Sequence, residues 1–288
     1  MKKTVFAVAC AATVLLVGCE KLEMPETQQE EQVSEKTRDV TFKVKGDFES
    51  MTRATAVNGS SMTDVLVLDY VGGELVQQVH QGDNTAADFG SPTLSLAMGS
   101  HELYFVCSMG SGAVVNTEAH KVTWSIPRDT FWKKVTKSVT ANTGGSATVT
   151  LDRVSTRLTV NIEDAIPVGT AKLEIQPSTW YYGVDYLTGN GTDTKSDAFT
   201  ITIPSSYAGR TNTQVGIYGM ALATEFTTNV TLTVKDDDNN VLATETITGA
   251  PMQKNRSTDY TGTLFLSENV YGMSVNDEWG TAYNGSWN

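Results

Sequence analysis

Cysteine is scarce, with three in 288 residues. Cys10 and Cys19 lie near the N-terminus, and Cys107 stands alone in the apolar run Glu102–Cys107. A disulfide framework and a multi-cysteine metal site are excluded, and Cys107 reads as a small buried hydrophobe. Histidine is equally short: His80, His101 and His120 have no partner at i,i+4 and no H-E-x-x-H setting. They read as polar residues at strand ends and in loops. Positive charge is lacking too, with 21 Lys and Arg against 33 Asp and Glu, a net charge of −12. This excludes nucleic acid as a partner and argues against electrostatic docking on anionic lipid. No Gly-x-Ser-x-Gly elbow surrounds a serine. Gly110-Ser-Gly112 and Gly189-Asn-Gly191 lack the third glycine and the strand-to-helix setting of a phosphate loop. Asp236–Asn240 could offer oxygens to calcium, but it lacks the EF-hand spacing and suits a hairpin tip. No metal, no cofactor and no enzymatic activity are expected.

What is present begins at the N-terminus. Lys2 and Lys3 precede the apolar run Val5–Val17, which has signal-peptide length and is short for a bilayer span. Leu16-Val17-Gly18-Cys19 closes it in the bacterial lipobox pattern. Residues 1–18 are therefore expected to be a lipoprotein signal peptide, and Cys19 the lipidated new N-terminus. Each buried lipid CH2 contributes about 0.8 kcal/mol, so several acyl chains hold a protein on a membrane almost permanently. Loss of residues 1–18 removes two lysines and no acid, leaving a net charge of −14. Residues 19–38 are rich in Glu and Gln and self-repelling, which predicts a flexible acidic tether.

Beyond residue 38 the chain is rich in Thr, Val, Ser and Gly, the composition of pleated sheets. Val40, Phe42 and Val44 alternate with polar residues, as do Leu158, Val160 and Ile162, and Phe199, Ile201 and Ile203. Runs at 64–71 and 74–80 flank Gly72-Gly73, a hairpin signal. Tyr104–Cys107 is apolar on both faces, which predicts a central strand. Val230–Val234 and Val241–Thr248 flank the acidic tip as a second hairpin. Asp129–Val135 is the one segment expected to be a short helix, with Asp129 as its N-cap. The expected fold is all-β: a β-sandwich over 39–152 and another over 153–288, joined near Asp152–Thr156. No sequence repeat is apparent.

Three features bear on function. Trp180, Tyr181, Tyr182 and Tyr186 cluster in a loop-like stretch, either as a sugar-stacking platform or as a plug between domains. Arg53-Ala54 is a candidate proteolytic bond in a polar connection after the first strand. Tyr271, Met273, Val275 and Trp279 alternate near the C-terminus as a candidate assembly strand, following the run Thr258–Leu266 that should finish the second domain; the same strand could complete that domain in cis.

Met62–Tyr70, Leu96–Cys107, Arg153–Val160, Pro251–Phe265 and the ending Tyr271–Trp279 together resemble the fimbrillin superfamily of Bacteroidetes pilus proteins. The resemblance implies two transthyretin-like β-sandwiches and export as an outer-membrane lipoprotein. In polymerising members it implies cleavage after an arginine, here Arg53, releasing the first strand so that a neighbour's strand can fill the groove. Anchor members keep their lipid. The expected role is a structural, accessory or anchor subunit of a surface pilus that supports adhesion. Its partners would be other pilus subunits, the outer membrane through the lipid, and a host or bacterial surface ligand. The alternative is a surface glycan-binding lipoprotein of an uptake system.

Overall fold

The structure is a computed structural model that describes residues 36–46, 62–110 and 112–265, and the backbone of 271–274. Cys19, Arg53, Ala54, Val275 and Trp279 lie outside the described residues. The described residues group as one compact unit. Among the described residues the protein is all β, the only helical element being one 3-10 turn at Ser205–Tyr207.

The first nine strands are β1 (Arg38–Gly46), β2 (Asp64–Val71), β3 (Glu74–Gln81), β4 (Thr93–Leu96), β5 (Gly99–Ser108), β6 (Val114–Asn116), β7 (Lys121–Thr123), β8 (Thr130–Val139) and β9 (Ser146–Arg153). Seven of them follow the order β3-β2-β5-β8-β9-β1-β4. β8 and β9 meet only at Phe131/Arg153 and Trp132/Asp152, so the sheet turns a corner there. Its two layers enclose one core, with Val40, Phe42, Leu94, Leu96 and Leu151 from one side and Val67, Leu103, Phe105, Cys107 and Phe131 from the other. The period-two pattern of β1 is thus explained: Val40 and Phe42 are fully buried while Asp39 and Lys43 face water. Gly72 and Gly73 turn the β2–β3 hairpin with φ of 60° and 91°, a region other residues enter at a cost.

The remaining strands are β10 (Ser155–Ile162), β11 (Lys172–Pro177), β12 (Trp180–Asp185), β13 (Asn190–Lys195), β14 (Phe199–Thr202), β15 (Thr213–Met220), β16 (Phe226–Lys235), β17 (Val241–Met252), β18 (Ser257–Gly262) and β19 (Tyr271–Ser274). They build the sheets β14-β11-β16-β17 and β15-β10-β18-β19. Leu158, Val160, Ile175, Leu232, Ile247 and Tyr260 share the core between them. This order repeats the first set. The layer β3-β2-β5-β8 matches β14-β11-β16-β17, and β4-β1-β9 matches β15-β10-β18. Even the exceptional pairing recurs: β1/β9 and β10/β18 are the parallel pairs, each first strand lying beside the last of its set. Within these two sandwiches β19 is, among the described residues, the strand without a counterpart.

A fourth sheet, β13-β12-β7-β6, takes two strands from each set. Around it Leu68, Tyr70, Tyr104, Trp124, Val184, Tyr186 and Met220 form a third apolar cluster. The two sets therefore share hydrogen-bonded sheet and core.

The expected helix at 129–135 is corrected to a strand. β8 pairs with β5 along ten residues, from Ser108/Thr130 to Gly99/Val139. Thr130, Phe131 and Trp132 suit a pleated surface, and the β5 edge gives their backbone a partner that local propensity does not see. Asp129 caps no helix; its carboxylate meets Arg153 and Ser155 instead. Trp180–Asp185, expected as loop-like, is strand β12.

Candidate assembly surface

Two places in the fold bear on assembly. The first is β1. It lies between β9, parallel over Thr41–Gly46, and β4, antiparallel over Arg38–Thr41. Phe42 packs edge-on to Phe105 with ring centroids 5.4 Å apart. The backbone N–H groups of Phe42 and Val44 reach Pro92 O and Gly90 O at 2.8 and 3.0 Å. β1 thus fills a slot bounded by strand on both sides, and β9 pairs with nothing beyond it over Ser146–Leu151 among the described residues.

The second is β19. It pairs antiparallel with β18, placing Tyr271 opposite Gly262, Met273 opposite Tyr260 and Ser274 opposite Asp259. Of the candidate assembly residues, Tyr271 and Met273 thus fall in a strand at a sheet edge, added in cis. The chain leaving β18 is pinned first: the backbone N–H groups of Leu264 and Phe265 donate to the Asp164 carboxylate at 3.1 and 2.6 Å. Close by, a small apolar recess is lined by Val160, Ile162, Leu232, Ile247, Tyr260, Gly262 and Leu264. The Tyr260 hydroxyl is buried without a hydrogen-bond partner, and burial pushes its pKa up to about 12.

The other sequence candidates resolve differently. Trp180 and Tyr186 are fully buried. Tyr181 packs against Phe226 at 5.1 Å, and Lys195 sits over Tyr182 at 4.3 Å. The Tyr186 hydroxyl lies 2.7 Å from that of Tyr70, so it joins the cluster between the two strand sets, where the plug reading put it. His101 is not an edge residue: it is 2% exposed, its Nδ1 is 2.8 Å from Asp69 and its Nε2 is 2.9 Å from Ala97 O. Burial raises the Asp69 carboxyl above the usual range, against the lowering pull of His101. At the acidic tip, Asp236 accepts from the backbone N–H and side-chain amide of Asn240 at 2.8 and 2.9 Å, which holds its carboxyl below the usual range. This is a turn closed by its own side chain. Among the described residues no group of three acids, histidines or cysteines is placed to hold a metal ion. Cys107 is fully buried, and burial pushes its thiol pKa up, away from reactivity.

One cluster has no sequence signal. Arg153 Nε donates to Asp129 at 2.9 Å, Ser155 Oγ donates to the same carboxylate at 2.6 Å, and Arg153 Nη1 donates to Asn255 at 3.1 Å. Asp129 and Arg153 are 1% and 7% exposed. This buried ion pair sits where β9 passes into β10 and ties that joint to the start of β8 and to the β17–β18 turn.

A family model described as a family of unknown function, DUF6562, matches residues 113–287. No curated protein matches the sequence. Among solved structures, a candidate adhesin from Bacteroides ovatus aligns at TM-score 0.50 and 13% identity, over 86% of this chain and 96% of that one. A candidate adhesin from Bacteroides thetaiotaomicron aligns at 0.51 and 13%, over 85% and 97%. A structure from the same species, described as candidate polysaccharide-binding proteins of DUF1812, aligns at 0.51 and 9%, over 86% and 98%. At these identities the likeness is one of fold, and the fold is the all-β sandwich type that the resemblance in sequence implied.

Proposed function

Because the chain belongs to DUF6562, a family of unknown function, its role has to be inferred from its own architecture, and we propose that it is a structural, accessory or anchor subunit of a surface pilus that supports adhesion. The reading has three parts. The chain is exported as a lipoprotein and held on the outer membrane through Cys19. It then folds as two sandwiches divided near Arg153. It joins other subunits by strand exchange, and its role is non-enzymatic.

One observation carries the assembly part. The two strand sets share a topology, yet the second has an extra strand. β19 extends β18, while the corresponding edge of β9 is unpaired over Ser146–Leu151 among the described residues. The chain thus carries one surplus strand and one open edge, the complementary halves of a head-to-tail contact. An added strand contributes backbone hydrogen bonds and seats alternate side chains in pockets. The names of two structural neighbours as candidate adhesins agree with this reading. The alternative, a glycan-binding lipoprotein, has the name of another neighbour in its favour. It loses the proposed stacking platform, since Trp180 and Tyr186 are buried.

Truncation after Ser267 tests the strand. It is expected to abolish incorporation into fibres seen by immuno-electron microscopy while leaving a cooperatively folded monomer with little change in Tm. A truncated chain that unfolds or aggregates would make β19 a part of its own domain and remove strand exchange from the proposal. A second measurement separates anchor from stalk. N-terminal analysis of the chain taken from cells should give acylated Cys19 for an anchor, or Ala54 for a stalk subunit cut after Arg53. An unacylated N-terminus between Gly18 and Lys36 would defeat both.

A further inference from the structure

We propose that the fold is built to carry tension along its length, through two parallel strand ladders loaded in shear and placed in series. The proposal goes beyond the assembly reading and needs only that the chain be held on the N-terminal side of β1.

The load path can be followed strand by strand. β1 and β9 are parallel neighbours over Thr41–Gly46 and Ser146–Leu151. A pull on the start of β1 and on the end of β9 therefore acts at opposite ends of one ladder. All its rungs resist together, because sliding must break them at once. Had the pair been antiparallel, the same pull would have acted at one end and opened the rungs singly. β9 ends at Arg153 and β10 begins at Ser155, so tension leaving the first ladder enters the second with one residue between. There the geometry repeats: β10 and β18 are parallel over Arg157–Ile162 and Ser257–Gly262. A pull on the start of β10 and the end of β18 again shears.

Four features reinforce this path. Each first strand is bonded along its other edge as well, β1 to β4 and β10 to β15 over Ser155–Ile162. Its inward side chains are buried, Val40 and Phe42 in one core and Leu158, Val160 and Ile162 in the other, so sliding would also drag apolar groups out of their pockets. The joint is tied sideways by the buried Arg153–Asp129–Ser155 cluster, and the Asn255 backbone N–H donates to Ser155 O at 2.9 Å. Past β18, the N–H groups of Leu264 and Phe265 are held by Asp164, just beyond β10. β19 is different. It is antiparallel to β18, so a pull on the C-terminus unzips it first and then transfers load to β18.

Single-molecule force spectroscopy on the full chain tests this, in a Cys10→Ser, Cys19→Ser background so that handles attach only at introduced cysteines. Handles at Asp39→Cys and Asp152→Cys load the β1/β9 ladder from opposite ends; handles at Asp39→Cys and Ser146→Cys load it from the same end. All three positions are exposed, and Cys107 is buried beyond labelling. At one pulling speed the first pair is expected to rupture at a force several-fold higher than the second. Pulling the chain by its two ends should give one weak event, from β19, before two strong ones. Equal rupture forces for the two handle pairs, with the Tm of both variants unchanged, would overturn the proposal. So would end-to-end pulling in which every event is weak, a measurement that needs neither internal cysteine.

Discussion

Asp129→Ala is expected to lower folding stability by about 3–5 kcal/mol, the cost of removing one partner from a buried ion pair. The carboxylate accepts from Arg153 Nε and from Ser155 Oγ, and both charged residues are buried. Without it Arg153 keeps its bond to Asn255 and its place over the Phe131 ring, 4.9 Å from the centroid, but loses the carboxylate that its Nε meets at 2.9 Å in a buried site. Urea unfolding of the purified chain measures the loss. Asp129→Leu combined with Arg153→Met should recover part of it, since removing both charges also removes their desolvation cost. The pH dependence gives a second readout. Burial raises the Asp129 carboxyl, outweighing the lowering effects of Arg153 and Ser155. The folded state then keeps this proton at pH values where the unfolded chain has released it. Stability from this group therefore falls as pH rises from the ordinary aspartate range through the raised native value. The alanine variant should lack that slope. A loss below about 1 kcal/mol, the scale of a surface pair, would mean that the joint does not depend on this charge.

The same cluster shows where sequence reasoning stops. Strands β1, β10 and β16 were legible because their alternation is local: Val40 and Phe42, Leu158, Val160 and Ile162, and Val230, Leu232 and Val234 recur at every second position and are buried in the structure. The β2–β3 hairpin was legible because two glycines mark its turn. β8 was misread because its strongest constraint, ten rungs shared with β5, is invisible to a window read around Asp129, where an acid before a short mixed run looks like a helix start. Arg153 pairs with a residue 24 positions away and Asn255 lies 102 away; nothing in either neighbourhood announces the other. The duplication is hidden for a related reason. A sandwich needs strand order and inward apolar residues, and many sequences satisfy both, so the topology repeats where the residues do not. Tyr271 and Met273 were legible as a strand. Its partner, β18, had to come from the structure.

Gly189→Ala is expected to cost about 2–5 kcal/mol, from two terms of different origin. Gly189 has a φ of 68°, where any other residue carries about 1–2 kcal/mol of strain. A Cβ there would also meet the Trp132 ring at 2.5 Å, too close for any contact, and overpacking of this kind costs about 1–3 kcal/mol. The indole cannot simply give way. Trp132 Nε1 donates to Tyr186 O at 2.7 Å, and Lys254 donates to Gly189 O at 2.9 Å, so the turn between β12 and β13 is clasped by residues from both strand sets. Displacing Trp132 loosens that clasp as well as the local turn. A double-mutant cycle separates the terms. With Trp132→Ala in place the added methyl has room, and Gly189→Ala should then cost only the conformational strain of about 1–2 kcal/mol. The difference between the two backgrounds measures the clash, read by urea unfolding at fixed pH. If Gly189→Ala costs the same in both backgrounds, the tryptophan does not press on this glycine, and the hairpin's grip across the two strand sets must come from the bonds to Tyr186 and Lys254 alone.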